Sequence, residues 1–91
     1  MERVARHVRV YGLVQGVFFR AWTCEQAREI GVAGWVRNCA DGSVAAHAEG
    51  EQAAVEQLIE RMRQGPAAAH VDNLDVREAA TENLGHFEVR H

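Results

Sequence analysis

Residues 32–49 read VAGWVRNCADGSVAAHAE, and how this stretch folds decides the fold of the whole chain. Two runs rich in apolar residues, Val32 to Asn38 and Ser43 to Glu49, flank Ala40-Asp41-Gly42. Asp-Gly is a strong short-range hairpin signal, because both residues tolerate the positive φ of a tight turn between twisted strands. Val44, Ala46 and Ala48 alternate along the second run and are expected to share one face. The stretch therefore predicts a pair of antiparallel strands with one side turned toward a core.

Outward from the hairpin, Val55, Leu58, Ile59 and Met62 recur at i, i+3, i+4 and i+7, which predicts a helix over Glu51 to Gln64. Gly65-Pro66 ends it, since proline cannot continue the helix and glycine accepts the terminal turn. On the other side, Thr23, Ala27 and Ile30 fall on one face of a helix predicted over Ala21 to Ile30, with Gly31 as its stop. Val4 to Tyr11 alternates Val8 and Val10 with His7 and Arg9, the period of a half-buried strand that ends at Gly12. Val71 to Glu78 and His86 to Arg90 read as two more strands, the last carrying Phe87 and Val89 between polar neighbours. A turn at Asn83-Leu84-Gly85 separates them.

The resulting order is strand, helix, strand, strand, helix, strand, strand. Its simplest two-layer solution is an antiparallel sheet with both helices on one face, a ferredoxin-like α+β sandwich. At 91 residues the chain is long enough for one compact core, so residues 1–91 are expected to form a single domain acting as a monomer.

Composition narrows the function. Hydrophobic residues make up 47% and charged residues 25%, the balance of a globular protein and not of a disordered one. No apolar run approaches the length of a membrane helix, and the first ten residues lack the apolar block of a signal peptide, which points to the cytoplasm. Cys24 and Cys39 are too few for a zinc or disulfide framework and are expected to be free thiols. A net charge of -3 argues against general nucleic-acid binding. The charge is uneven, however: six arginines face three acids in residues 1–40, and four face ten in residues 41–91. An anion site belongs in the first part.

The loop between Gly12 and Arg20 is the leading candidate for that site. A glycine-bearing turn that runs from a strand into a helix N-terminus aims several backbone N–H groups at one spot, where an anion is favoured. Arg20 at its end adds a full charge and a planar fork matched to phosphate oxygens. Asn38 closes the second strand just before the hairpin turn, where its amide both donates and accepts and so suits the orientation of a water molecule; asparagine also serves as a turn cap there. His7, His47, His70, His86 and His91 form no metal-binding spacing and are expected at the surface, so no metal or cofactor is called for. Neither Ser43 nor the cysteines sit in a nucleophile motif. Trp22, Trp35, Phe18, Phe19 and Phe87 are spaced as core or site wall and not as an RNA-stacking strand.

At these residues the sequence resembles the acylphosphatase family. Val10-Tyr11-Gly12-Leu13-Val14-Gln15-Gly16-Val17-Phe18-Phe19-Arg20 matches the family's first signature, and Gly34-Trp35-Val36-Arg37-Asn38 matches its second. Gly42, Val44 and Gly50 follow at the expected spacing, and the likeness extends through Gly65-Pro66 to Phe87-Glu88-Val89-Arg90. The resemblance implies the ferredoxin-like fold and an enzyme that hydrolyses the carboxyl-phosphate anhydride of acyl phosphates by direct attack of water. It implies that backbone N–H groups of Gln15, Gly16, Val17, Phe18 and Phe19 bind the phosphate, that Arg20 is the essential cation, and that Asn38 places the water.

Overall fold

The computed structural model describes residues 2–91. Strand β1 spans Arg3–Leu13, helix α1 Phe19–Ile30, β2 Ala33–Asn38, β3 Val44–Glu51, α2 Gln52–Gln64, β4 His70–Ala79 and β5 Phe87–Arg90. The seven elements follow the order read from the sequence. The five strands form one sheet in the order β4-β1-β3-β2-β5. β1 and β3 lie side by side at its centre, each antiparallel to its neighbours.

The β2–β3 hairpin is closed by the features that predicted it. Across the β2–β3 turn the Cys39 N–H donates to the Ser43 carbonyl at 2.8 Å and the Gly42 N–H to the Cys39 carbonyl at 3.2 Å. Gly34 on β2 answers a different demand. A Cβ at that position would sit 1.7 Å from the His47 carbonyl oxygen, so only glycine lets β2 and β3 approach this closely.

Both helices pack on the same side of the sheet, where Val8, Val10, Val36, Val44, Ala46 and Ala48 meet Phe19, Ala27, Val55, Leu58 and Met62. The alanines of β3 are small enough for the larger helix residues to reach the middle of the sheet. Each buried Leu58, Met62 or Phe19 side chain contributes roughly 1.5–3 kcal/mol by leaving water. Gly31 ends α1 at φ 93° and Gly65 ends α2, each donating its N–H back into the last turn, to Ala27 and Arg61 respectively.

Two features differ from the sequence reading. The fifth strand pairs with β2 in parallel, so the sheet is mixed at that edge and antiparallel elsewhere. The reason lies in the path of the chain: β4 and β5 occupy opposite edges, and the segment 80–86 must cross one end of the sheet to join them. A connection that long-reaching delivers β5 in the direction of β2.

The second difference is His47, expected at the surface but only 2% exposed. Its strand parity does point it away from the helices, as predicted, yet the crossing segment covers it there. Trp35 stacks on the His47 ring at 6.0 Å between centroids, and Glu82 approaches Nδ1 at 3.7 Å. Glu49, fully buried beside it, accepts from the Glu82 backbone N–H at 2.8 Å and pairs with His47 Nε2 at 2.9 Å and Arg3 at 3.1 Å. Burial pushes the Glu49 carboxyl up, but these three donors outweigh it and hold it below its ordinary range.

Candidate active site

The candidate loop is shaped by where β1 stops. The strand runs past Gly12 to Leu13, with an irregularity in its β4 pairing between Tyr11 and Gly12. A Cβ on Gly12 would lie 2.1 Å from the His70 carbonyl oxygen, so glycine is required at the point where β1 bends toward the loop. Residues 14–18 then form a short turn. Gly16 has φ 74° and Phe18 φ 64°, and α1 begins at Phe19, two residues before the predicted start. Arg20 consequently sits in the first turn of the helix and not at the end of a loop.

That helix start has unusual chemistry. Phe18 occupies the N-cap position and offers no side-chain hydrogen bond, and the first turn carries no acid. The first helical bond runs from the Trp22 N–H to the Phe18 carbonyl at 2.9 Å. The N–H groups of Phe19, Arg20 and Ala21 precede it and have no partner one turn back, so the positive end of the helix is open to an anion. Replacement of a normal Ser, Thr, Asp or Asn cap by an aromatic residue removes the group that would otherwise satisfy them.

Two connections hold Asn38 against this loop. Gln15 Nε2 donates both of its hydrogens to the β2–β3 turn, to the Cys39 and Ser43 carbonyls at 2.8 Å each. Arg9 reaches the same turn from β1, through Nε to Ser43 Oγ at 2.7 Å and through Nη2 to Asp41 at 3.0 Å. The Asp41 carboxyl also accepts from the Ser43 hydroxyl and N–H, and these bonds, with Arg9 behind them, pull its pKa below the ordinary carboxylate range. The turn after Asn38 is thus fastened to both β1 and the loop that follows it.

Arg20, Asn38, Gly16, Phe18 and Phe19 line one cavity of about 380 Å³, together with Val14, Ala21, Val89 and His91. Of the residues expected at the phosphate, Gln15 and Val17 are outside that wall: the Gln15 side chain braces the turn, and Val17 packs against the core. Val89 and His91 were not foreseen. They arrive because β5 runs parallel to β2, which carries its last residues to the same end of the sheet as Asn38. Nothing in strand periodicity names a strand's partner, so the sequence held no signal for them.

The guanidinium of Arg20 is held loosely. Nη1 donates to the Arg90 carbonyl at 3.3 Å and lies 3.3 Å from His91 Nδ1. No ion pair to a carboxylate involves Arg20 among the described residues. A cation left without a carboxylate, beside the uncapped helix start and an exposed amide, has the charge and the donors that an anion such as a phosphoryl group calls for.

Comparison with known proteins identifies the family and the fold. The model of the Acylphosphatase family matches residues 6–89. An acylphosphatase of Gloeobacter violaceus is 57% identical over 86 residues, which cover 94% of this chain and 92% of that one. Among solved structures, an acylphosphatase from Coxiella burnetii superposes with a TM-score of 0.93 at 39% identity, over 97% of this chain and 93% of its own. An acylphosphatase from Bacillus subtilis gives a TM-score of 0.93 at 31% identity, over 97% and 99%.

Proposed function

The chain belongs to the acylphosphatase family and hydrolyses acyl phosphates, and from that premise we propose how its own residues carry out the reaction. Arg20 and the backbone N–H groups of residues 15–19 hold the phosphate, and the Asn38 amide holds the attacking water. The observation that carries this assignment is the convergence of Arg20 and Asn38 on one cavity beside an uncapped helix N-terminus.

The chemistry asks for little more. Water attacks phosphorus, the bond from phosphorus to the bridging oxygen breaks, and the electron pair leaves with a carboxylate. That leaving group is already a weak base and needs no general acid. Negative charge spreads over the phosphoryl oxygens in the transition state, where Arg20 and the loop donors stabilise it. Asn38 accepts one hydrogen bond from the water and keeps it in line, and the proton that water loses ends on the phosphate itself. No step passes through a covalent enzyme intermediate, a metal or a cofactor.

We extend the reading to one domain that works as a monomer in the cytoplasm. The free thiols Cys24 and Cys39 suit a reducing compartment.

The test is hydrolysis in water enriched in oxygen-18. Attack at phosphorus puts the label in inorganic phosphate and leaves the released carboxylate unlabelled. Label in the carboxylate would mean attack at the carbonyl carbon and would remove the roles given to Arg20 and Asn38.

A further inference from the structure

The cavity is larger than a phosphate needs and mostly apolar beyond Arg20 and Asn38. Its volume of about 380 Å³ falls in the range of roughly 300–1,000 Å³ found for sites that enclose small organic ligands, whereas a phosphate has only five heavy atoms. Val14, Phe19 and Val89 close its sides.

Phe18 stands out within it. The residue is 83% exposed, the most exposed large apolar side chain among those described, and its φ of 64° places an aromatic residue in the left-handed region. Glycine or asparagine adopts that conformation readily, while a bulky side chain there is a genuine outlier. Phe18 is unfavourable on both counts, backbone and exposure, so packing within the protein does not account for the ring. Such outliers gather where a ligand is held.

Resting on the reaction proposed above, we propose that Phe18 determines substrate specificity: its ring forms the face on which the acyl half of the substrate lies, and the enzyme selects acyl phosphates with flat, apolar acyl groups. With the phosphate against Arg20, the acyl group extends into the remaining apolar space. The ring of Phe18, on the residue before the helix starts, flanks it. Burial of an aromatic acyl group against this ring removes apolar surface of both from water, a gain that an acetyl group is too small to collect. A second carboxylate on the acyl group finds no arginine or lysine but Arg20 among the lining residues.

The experiment compares kcat/KM for benzoyl phosphate and acetyl phosphate in the wild type, in Phe18→Asn, which accepts the left-handed backbone but lacks the ring, and in Phe18→Tyr, which keeps it. The benzoyl-to-acetyl ratio is expected to fall at least about fivefold in Phe18→Asn, through KM for benzoyl phosphate, and to be retained in Phe18→Tyr. Because the ratio is the readout, any effect on the loop common to both substrates cancels. An unchanged ratio in Phe18→Asn overturns this inference alone. A wild type that hydrolyses neither substrate overturns the proposed reaction as well. Binding to the wild type gives a measurement independent of any variant: by calorimetry phenylphosphonate should bind at least about fivefold more tightly than methylphosphonate, and equal affinities overturn the assignment of the ring.

Discussion

The two ends of the sheet each carry an arginine-lined cavity, and the larger one is not where we propose the reaction. At the end where β1 begins, Arg3, Arg28 and residues 83–87 border a space of about 550 Å³. At the other end, Arg20 and Asn38 border about 380 Å³. The difference is in what the arginines already do. Arg3 is paired with the buried Glu49 and donates to the Leu84 carbonyl, and Arg28 donates to the Phe87 carbonyl. Arg3 holds the crossing segment in place, while Arg28 touches the first residue of β5 through a single bond of 3.3 Å, as long as the one Arg20 makes to Arg90. Arg20 has only long contacts to Arg90 and His91 and lines one cavity with the uncapped start of α1. The carboxylate that commits Arg3, and the uncapped helix start that lies beside Arg20, distinguish the two ends more than volume does.

The comparison breaks most directly at Arg20. Arg20→Ala should lower kcat/KM by about 10³ or more and abolish competitive inhibition by inorganic phosphate, with little change in the denaturation midpoint. Arg28→Ala, at the other end, should leave kcat/KM within about twofold. Steady-state kinetics on both variants decide, and equal losses would erase the distinction. Asn38→Ala is expected to lose roughly 10²–10³ in kcat while phosphate inhibition stays near the wild-type value, because the anion contacts survive and the water is no longer held. A shift of the phosphate inhibition constant as large as the loss in kcat would move Asn38 from the water to the phosphate.

At the structural end the expected readout is stability. Glu49→Ala leaves His47 facing a void and takes the partner from the Glu82 N–H, both buried or half-buried, and should destabilise the fold by about 3 kcal/mol. Its kcat, measured where the variant is folded, should match the wild type. Gln15→Ala tests the brace between loop and turn. Loss of its two hydrogen bonds lets Asn38 drift relative to Arg20, and kcat should fall about tenfold. A wild-type kcat would show that Arg9 and the strand pairing suffice to hold the turn.

What the sequence made legible follows from how local each signal is. The β2–β3 hairpin and α2 were readable because Asp41-Gly42 and the spacing Val55, Leu58, Ile59, Met62 state their geometry within a few residues. Arg20 and Asn38, which the fold brings to one cavity, could be named as candidates because two short motifs carry them. The true start of α1 was not, since Phe18 in a left-handed cap shows none of the polar side chains that mark a helix start. The burial of His47 was hidden as well: its alternation pointed correctly to the face without helices, but only the path of residues 80–86 covers that face. Val89 and His91 entered the cavity through a pairing between β5 and β2, elements separated by β3, α2 and β4 in the chain. Contacts made across the fold leave no mark on the residues that make them.

The smallest expected effect compares the two ends by pH. Glu49 at the structural end and Asp41 at the chemical end both have carboxyls held below their ordinary ranges. For each, the folded state binds the proton less readily than the unfolded chain. The stabilisation is therefore complete above the ordinary values, 4.5 and 3.8, and is lost as the pH falls through the lowered folded values. Glu49 is enclosed by Glu82, His47 and Arg3, whereas the Asp41 side chain is 52% exposed and water screens its bonds. Thermal unfolding from pH 6 to pH 3 should show the wild type losing its advantage over Glu49→Gln, because the glutamine has no proton to take up, and losing much less of any advantage over Asp41→Asn. Parallel curves for wild type and Glu49→Gln would mean that the Glu82, His47 and Arg3 contacts do not favour the ionised carboxylate in solution, and the structural end would then owe its order to Trp35 and the apolar core beneath it.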